Sequence, residues 1–326
     1  MKSDVLCLRP RADFERAGEL APASLSVLYR SPNDADVPQL FKTASALLIP
    51  AVGSKLPPEL FAGTSIKFVQ VTGAGLDRLD RSALQRLGIA VANVPGGSNR
   101  AVAEYAVTAA SLLLRRLSWA DSEIQAGNYA AFRSRMLADN LSGLENLLVG
   151  VVGFGVIGVA VAELFYKMGC RISYYDPIPA ANSVAEALSA KSLSLEELLE
   201  AADIVTLHVP LIPATHSLIG DRELAKMKPG SILIQASRGG VVDESALAKH
   251  LQCGRVGGAV VDVYSTEPPT PDNPLLALSG EARPRLLLTP HIAGVTRQSA
   301  AILFRSAWQN LERVLIQKQP PLNRAY

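Results

Sequence analysis

The stretch "LLVGVVGFGVIGVAVAELF", Leu147 to Phe165, decides how the rest of the chain is read. An apolar run ends at Gly153, and Gly153, Gly155 and Gly158 stand in G-x-G-x-x-G order at the mouth of an apolar helix. The first glycine permits a tight turn, the second lets a pyrophosphate approach the backbone, and the third lets helix and strand pack closely. Phosphates then meet the positive end of the helix, where unpaired N–H groups point outward. The run Asn146 to Ala162 is uncharged, but its four glycines and short length suit strand, turn and helix better than a membrane span.

Outward from this motif, short β-branched runs alternate with helical patterns. Downstream strands are expected at "RISYYD", "DIVTLHV", "SILIQAS", "VGGAVVDVY" and "RLLLTP". Ser194 with Glu197 forms a capping box, and Asp243 heads the helix "DESALAKHL". Upstream, "DVLCL", "SVLYR", "ALLIP", "IKFVQVTG" and "IAVANVP" read as a second set of strands with helices between them. Alternation of this kind predicts parallel sheets covered on both faces, hence two doubly wound α/β domains. In the tail, Phe304, Trp308, Leu311 and Leu315 share a helical face that is expected to pack back on the first domain, leaving a cleft and hinge between the two. The expected division is 1–98 with 291–326 for one domain and 99–290 for the nucleotide-binding domain.

Bulk properties narrow the function. A chain of 326 residues, 48% hydrophobic and 19% charged, buries real cores and is long enough for two domains. Its 32 basic and 30 acidic residues leave a net charge of +2 with no basic block, so neither nucleic acid nor an acidic membrane surface is called for. Cys7, Cys170 and Cys253 are too scattered for a disulfide framework or a metal site. "MKSDVLCLRP" has no leader pattern, and a cytoplasmic location is expected.

Asp176 ends the strand after the glycine motif, eighteen residues beyond Gly158. An acid there bonds ribose hydroxyls and repels a 2′-phosphate; nothing basic follows until Lys191 to receive one. NAD is therefore expected over NADP. Three later strand ends deliver Arg238, Asp262 with Glu267, and His291 to the carboxyl edge where ligands of open α/β sheets collect. An arginine fork grips a carboxylate at two points. An imidazolium gives a proton to a carbonyl oxygen while hydride reaches the carbon, and a glutamate beside it favours that charged form. Singly, Arg238 also suits a surface charge in a glycine turn, Glu267 a loop acid before two prolines, and His291 a turn residue. Together they suit reduction of a 2-keto acid.

Several motifs in order now carry a resemblance: "GAGLDRLD", "NVPGGSNRAVAEYAV", "VGVVGFGVIG", "YYDP", "LHVPLIPATHSLIG", "SRGGVVDE", "DVYSTEPP" and "TPHIAG". Nearly end to end, the chain resembles the D-isomer-specific 2-hydroxyacid dehydrogenases. That resemblance implies a flavodoxin-like substrate domain beside a Rossmann NAD domain, and dimerisation through the latter. It implies that Arg238 binds the substrate carboxylate and carbonyl, that Glu267 pairs with His291, and that His291 is the acid/base. Ala51 and the Ala74 and Gly75 amides fall on substrate positions. Gly153, Gly155, Val156, Ile157 and Gly158 match the pyrophosphate turn and Asp176 the adenosine ribose contact. His208, Val209, Pro210 and Thr215 match the adenine-side wall. Asp262 matches the nicotinamide carboxamide contact, with Ala236, Ser237 and Gly294 beside it. The family often has Asn where Gln235 stands, which implies a small local adjustment. In "LLIPAVGSK", Pro50, Ala51 and Val52 replace the basic residues of phosphoglycerate-type enzymes, which favours a small or apolar side group; Lys55 is the one cation of that loop. Rivals are a formate dehydrogenase, against which the intact Glu267 stands, a phosphite or phosphoglycerate dehydrogenase, and a nucleotide-sensing corepressor of the same fold.

Overall fold

The computed structural model describes residues 4–178 and 182–326. The chain divides into two compact units, Met1–Ser98 with Val295–Tyr326, and Asn99–Gly294.

The first unit is built on five parallel strands: β1 (Val5–Cys7), β2 (Val27–Tyr29), β3 (Ala46–Pro50), β4 (Phe68–Thr72) and β5 (Ala90–Ala92). Their order is β2-β1-β3-β4-β5, the flavodoxin-like arrangement. Helices cover both faces, so β3 and β4 read as unbroken apolar runs and not as alternating ones. Gln70 is the buried exception on β4. Its Oε1 accepts from Asn310 Nδ2 at 2.9 Å, and this amide pair clips the returning helix Arg297–Leu315 to the sheet. Phe304, Trp308 and Leu311 of that helix are buried and Leu315 packs beside them. The Phe14 ring lies 4.4 Å from Phe304 and 5.0 Å from Trp308, and Trp308 Nε1 donates to the Glu19 carbonyl.

The second unit has seven parallel strands: β6 (Leu148–Val152), β7 (Arg171–Tyr175), β8 (Lys191–Ser192), β9 (Ile204–Leu207), β10 (Ile232–Gln235), β11 (Gly258–Val261) and β12 (Leu286–Leu288). The order β12-β11-β10-β9-β6-β7-β8 places the topological switch between β6 and β9. Strand β8 was not among the expected strands. It is two exposed residues on the sheet's edge, too short and too polar for an apolar pattern. The capping box at Ser194 and the Asp243 cap both form. Val151, Phe165 and Ile234 lie in one buried cluster of this unit, and Leu198, Leu207 and Leu247 in the other.

The returning segment of the first unit begins at Val295, four residues beyond the expected 291. The reason is local: the His291, Ile292 and Ala293 amides all donate to Asp262, which ties this turn to the end of β11. No helix of the described residues is long and apolar enough to cross a membrane.

Candidate active site

At the switch point, β6 runs into Gly153, whose φ of 90° lies in the left-handed region. A Cβ on Gly158 would stand 2.0 Å from the Gly153 carbonyl oxygen, so only glycine lets the helix Val156–Lys167 approach the turn so closely. Gly155 differs. A Cβ there would meet nothing within 4 Å, leaving an open cradle at the head of a helix that no side chain caps. Val156 and Ile157 open that helix. Free helical N–H groups over an open cradle fit a pyrophosphate.

Asp176, just past β7, closes over this turn. Its Oδ2 accepts from Phe154 N at 2.7 Å and its Oδ1 from Ile178 N at 2.8 Å. It therefore shapes the glycine turn, and each oxygen keeps acceptor capacity for a ribose hydroxyl. After β9, His208 shares a 2.8 Å hydrogen bond with the Thr206 hydroxyl, and burial pushes its pKa down to about 3, so it is neutral. Thr215 knits the following loop, with its hydroxyl on the Pro210 carbonyl at 2.6 Å and accepting from Ile212 N at 2.9 Å. Val209 is partly buried, Pro210 exposed.

The end of β10 carries the arginine turn. Buried Gln235 bridges it, accepting from the Ser237 hydroxyl at 2.7 Å and donating to the Arg238 carbonyl at 2.8 Å. Gln235 thus takes a turn-closing role. Ala236 is partly buried beside it, and Arg238 Nη1 donates to the Ser237 carbonyl. A Cβ on Gly239 would lie 1.7 Å from the Tyr264 carbonyl oxygen, so the arginine turn rests directly on the turn that follows β11.

Asp262 is 1% exposed, yet its charge is well met. Oδ1 accepts from the Thr289 hydroxyl at 2.5 Å and from Ile292 N at 2.8 Å, and Oδ2 accepts from Ala293 N at 2.8 Å. Its carbonyl accepts His291 N at 2.8 Å. Held this way, His291 sits at φ 55°, a left-handed conformation uncommon for a residue other than glycine. Its Nδ1 lies 2.9 Å from Glu267 Oε2 and 3.1 Å from Oε1. A carboxylate only accepts, so Nδ1 carries the hydrogen and Nε2 is left to meet a reacting group. Glu267 is held in turn by Tyr264 N, which donates to Oε1 at 3.1 Å. Gly294 ends this turn.

In the first unit, Ala51 follows β3 and Gly73 to Gly75 follow β4. The Ala51 methyl carbon would be 2.7 Å from a Cβ at Gly73. Asn93 Nδ2 fixes the Ala74 carbonyl at 2.7 Å, while neither the Ala74 nor the Gly75 N–H has a hydrogen-bond partner among the described residues. The loop Pro50–Leu56 is not free of cations behind it. Arg78, 4% exposed, donates from Nε to the Ser54 carbonyl at 2.9 Å and from Nη1 to the Pro50 carbonyl at 3.1 Å, and its own carbonyl accepts Leu56 N. Arg78 lay within a quoted motif but was assigned no role. Tyr105, Tyr264 and Thr289 also went unassigned, since hydroxyls hydrogen-bonded behind a turn leave no pattern in sequence. Among the described residues, no group of three or more His, Cys, Asp or Glu has an arrangement that would hold a metal ion.

Comparison with known proteins bears on this geometry. A family model described as the D-isomer specific 2-hydroxyacid dehydrogenase NAD-binding domain matches residues 107–293. D-3-phosphoglycerate dehydrogenase of Archaeoglobus fulgidus is 36% identical over 238 residues, which is 73% of this chain and 43% of that protein, so the match spans less than half of that relative's length. (S)-sulfolactate dehydrogenase of Chromohalobacter salexigens is 38% identical over 243 residues, 74% of this chain and 75% of that protein. Among solved structures, the apo form of Rhodotorula graminis D-mandelate dehydrogenase superposes with a TM-score of 0.83 at 26% identity, covering 100% of this chain and 98% of that one.

Proposed function

This chain belongs to the D-isomer-specific 2-hydroxyacid dehydrogenase family, whose NAD-binding domain it carries, and from that premise we propose that it interconverts a 2-keto acid and the corresponding D-2-hydroxy acid. The observation that carries the proposal is the Glu267–His291 pair, 2.9 Å apart beyond the ends of neighbouring strands β11 and β12.

The chemistry that NADH supplies when bound is a hydride for the carbonyl carbon. His291 Nε2 gives its proton to the carbonyl oxygen in reduction and takes one from the hydroxyl in oxidation. Glu267 holds the Nδ1 hydrogen throughout, which fixes the ring's tautomer. Arg238 takes the substrate carboxylate through its fork, and the Ala74 and Gly75 amides are proposed as the first unit's share of that grip. Gly155, Val156, Ile157 and Asp176 hold the pyrophosphate and the ribose, and the Asp176 charge favours NAD over NADP. Asp262 and the residues beside it are proposed for the nicotinamide end. The substrate's side group is small or apolar, as in glyoxylate, hydroxypyruvate, pyruvate or an aryl keto acid. Support comes from Pro50, Ala51 and Val52, and from the Arg78 fork being turned onto loop carbonyls. Dimerisation through the second unit is supported by the helix Leu117–Gln125, which buries no residue, and by exposed Leu117, Ile124, Tyr129 and Leu137.

The test is a 2-keto acid panel with NADH and NADPH, run on wild type and His291→Ala. Wild type is expected to oxidise NADH steadily with a small or apolar keto acid, and His291→Ala to lose on the order of 10³-fold in kcat while still binding NADH. A near-wild-type rate in the variant would sink the role of His291. A preference for phosphohydroxypyruvate or sulfopyruvate would sink the substrate assignment, and equal efficiency with NADPH the role of Asp176.

A further inference from the structure

We infer that the hydroxyls of Tyr105 and Tyr264 clasp Thr289 from two sides and thereby set the His291 ring against Glu267, which makes both tyrosines positioning residues for the proton transfer. The inference rests on His291 as the acid/base.

Thr289 stands two residues before His291, joined to it through Pro290, whose ring restricts the backbone between them. The hydrogens around it can be assigned. Asp262, as a carboxylate, only accepts, so the single Thr289 hydroxyl hydrogen points at Oδ1, 2.5 Å away. The Tyr105 oxygen lies 2.5 Å from Thr289 Oγ1 and must therefore donate to it. From the other side, the Tyr264 hydroxyl donates to the Thr289 carbonyl at 3.0 Å. Tyr264 also reaches the partner of the pair, since its N–H donates to Glu267 Oε1 at 3.1 Å. One residue thus fixes both the carboxylate and the segment that leads into the imidazole.

Both phenols are suited to permanent donation. Burial raises the pKa of Tyr264 to about 12 and that of Tyr105 further, so neither ionises where the enzyme would be assayed. The segment needs holding, because His291 occupies a left-handed φ of 55° that costs on the order of 1–3 kcal/mol and persists only where its surroundings over-determine it. The main-chain bonds to Asp262 pin residues 291 to 293, and the tyrosines pin the residue that feeds into them.

The experiment compares Tyr105→Phe, Tyr264→Phe, the double variant, Thr289→Val and Thr289→Ser, with His291→Ala as control. Each is measured by melting temperature, by kcat and KM with the best keto acid, and by the His291 ring resonance in the cofactor-free protein. Expected is a fall in kcat of about tenfold in the double variant and in Thr289→Val, with both KM values within about twofold and the His291 resonance displaced. Thr289→Ser, which keeps the hydroxyl, should stay within about twofold of wild type. A folded double variant with wild-type kcat and an unmoved His291 resonance overturns the clasp, as does a lowered melting temperature with those two readings unchanged. Should the double variant not fold, the Thr289→Val and Thr289→Ser pair decides in the same terms. Full turnover in His291→Ala would instead overturn the acid/base role, a failure that the ring resonance separates from that of the clasp.

Discussion

Two loops of this molecule solve one problem with opposite charges. In the second unit the turn His291–Gly294 is gathered around buried Asp262, which accepts three main-chain amides and one hydroxyl. In the first unit the loop Pro50–Leu56 is gathered around buried Arg78, which donates to two main-chain carbonyls. Neither charge is matched by an opposite side-chain charge within those contacts; each is met by backbone dipoles. The difference lies in what the loops present. The turn delivers an imidazole with its carboxylate partner, whereas the loop delivers Pro50, Ala51 and Val52, with exposed Lys55 as its one charge. A buried anion thus serves placement of an imidazole, and a buried cation serves shape.

The comparison can be broken most severely at Asp262. In Asp262→Asn an amide NH2 replaces one acceptor, and whichever way it is turned it faces a donor. Leaving that donor unsatisfied costs about 1–3 kcal/mol, and the His291 turn loses its left-handed fix. Expected is a fall in kcat of about 100-fold in steady-state assays. A kcat within threefold of wild type would show that the turn holds itself and that the two loops are not alike.

The milder break is Arg78→Met. Removing the charge also removes its desolvation cost, and the Ser54 and Pro50 carbonyls it leaves lie in a loop open enough for water to replace the lost donors. The melting temperature should therefore move little. The loop, however, loses two clips, and KM for the keto acid should rise about tenfold with kcat within about threefold. A kcat effect exceeding the KM effect would mean that Arg78 reaches the chemistry and does more than hold shape.

How much of this was legible beforehand depends on the physical scale of each signal. The strand ends that deliver Gly153, Asp176, Arg238 and His291 could be read because a fully buried parallel strand is an unbroken apolar run that stops where the ligand edge begins. Strand β8 could not, since two exposed residues on an edge create no apolar pattern. The pairing of Glu267 with His291 was implied by the family resemblance and by both residues following strands, but its holders were not. Tyr264 looks like any core aromatic, and Tyr105 sits on a helix whose neighbouring residues are buried for packing. Arg78 was hidden for a related reason: charged residues are usually surface residues, and nothing local marks one whose partners are carbonyls more than twenty positions away.

The smallest expected effect sharpens the rule by its counter-case. His208 is partly buried, but its ring is met by one neutral hydroxyl, Thr206 Oγ1 at 2.8 Å, and not by a set of dipoles that favours charge. It gives up its charge, with a folded-state pKa of about 3 against an ordinary 6.5. The sign follows. Between those two values the unfolded chain binds a proton that the folded chain refuses, so this group's contribution is fully present above pH 6.5 and is lost as the pH falls toward 3. The slope cannot exceed about 1.4 kcal/mol per pH unit, or roughly 3–6 °C of melting temperature in a unit of this size. His208→Asn should flatten the melting-temperature profile between pH 6 and 4 while leaving it unchanged above pH 7. If the variant and wild type lose stability in parallel on acidification, His208 takes up its proton in the folded state. Burial without charge-favouring dipoles would then not be what separates it from Asp262 and Arg78.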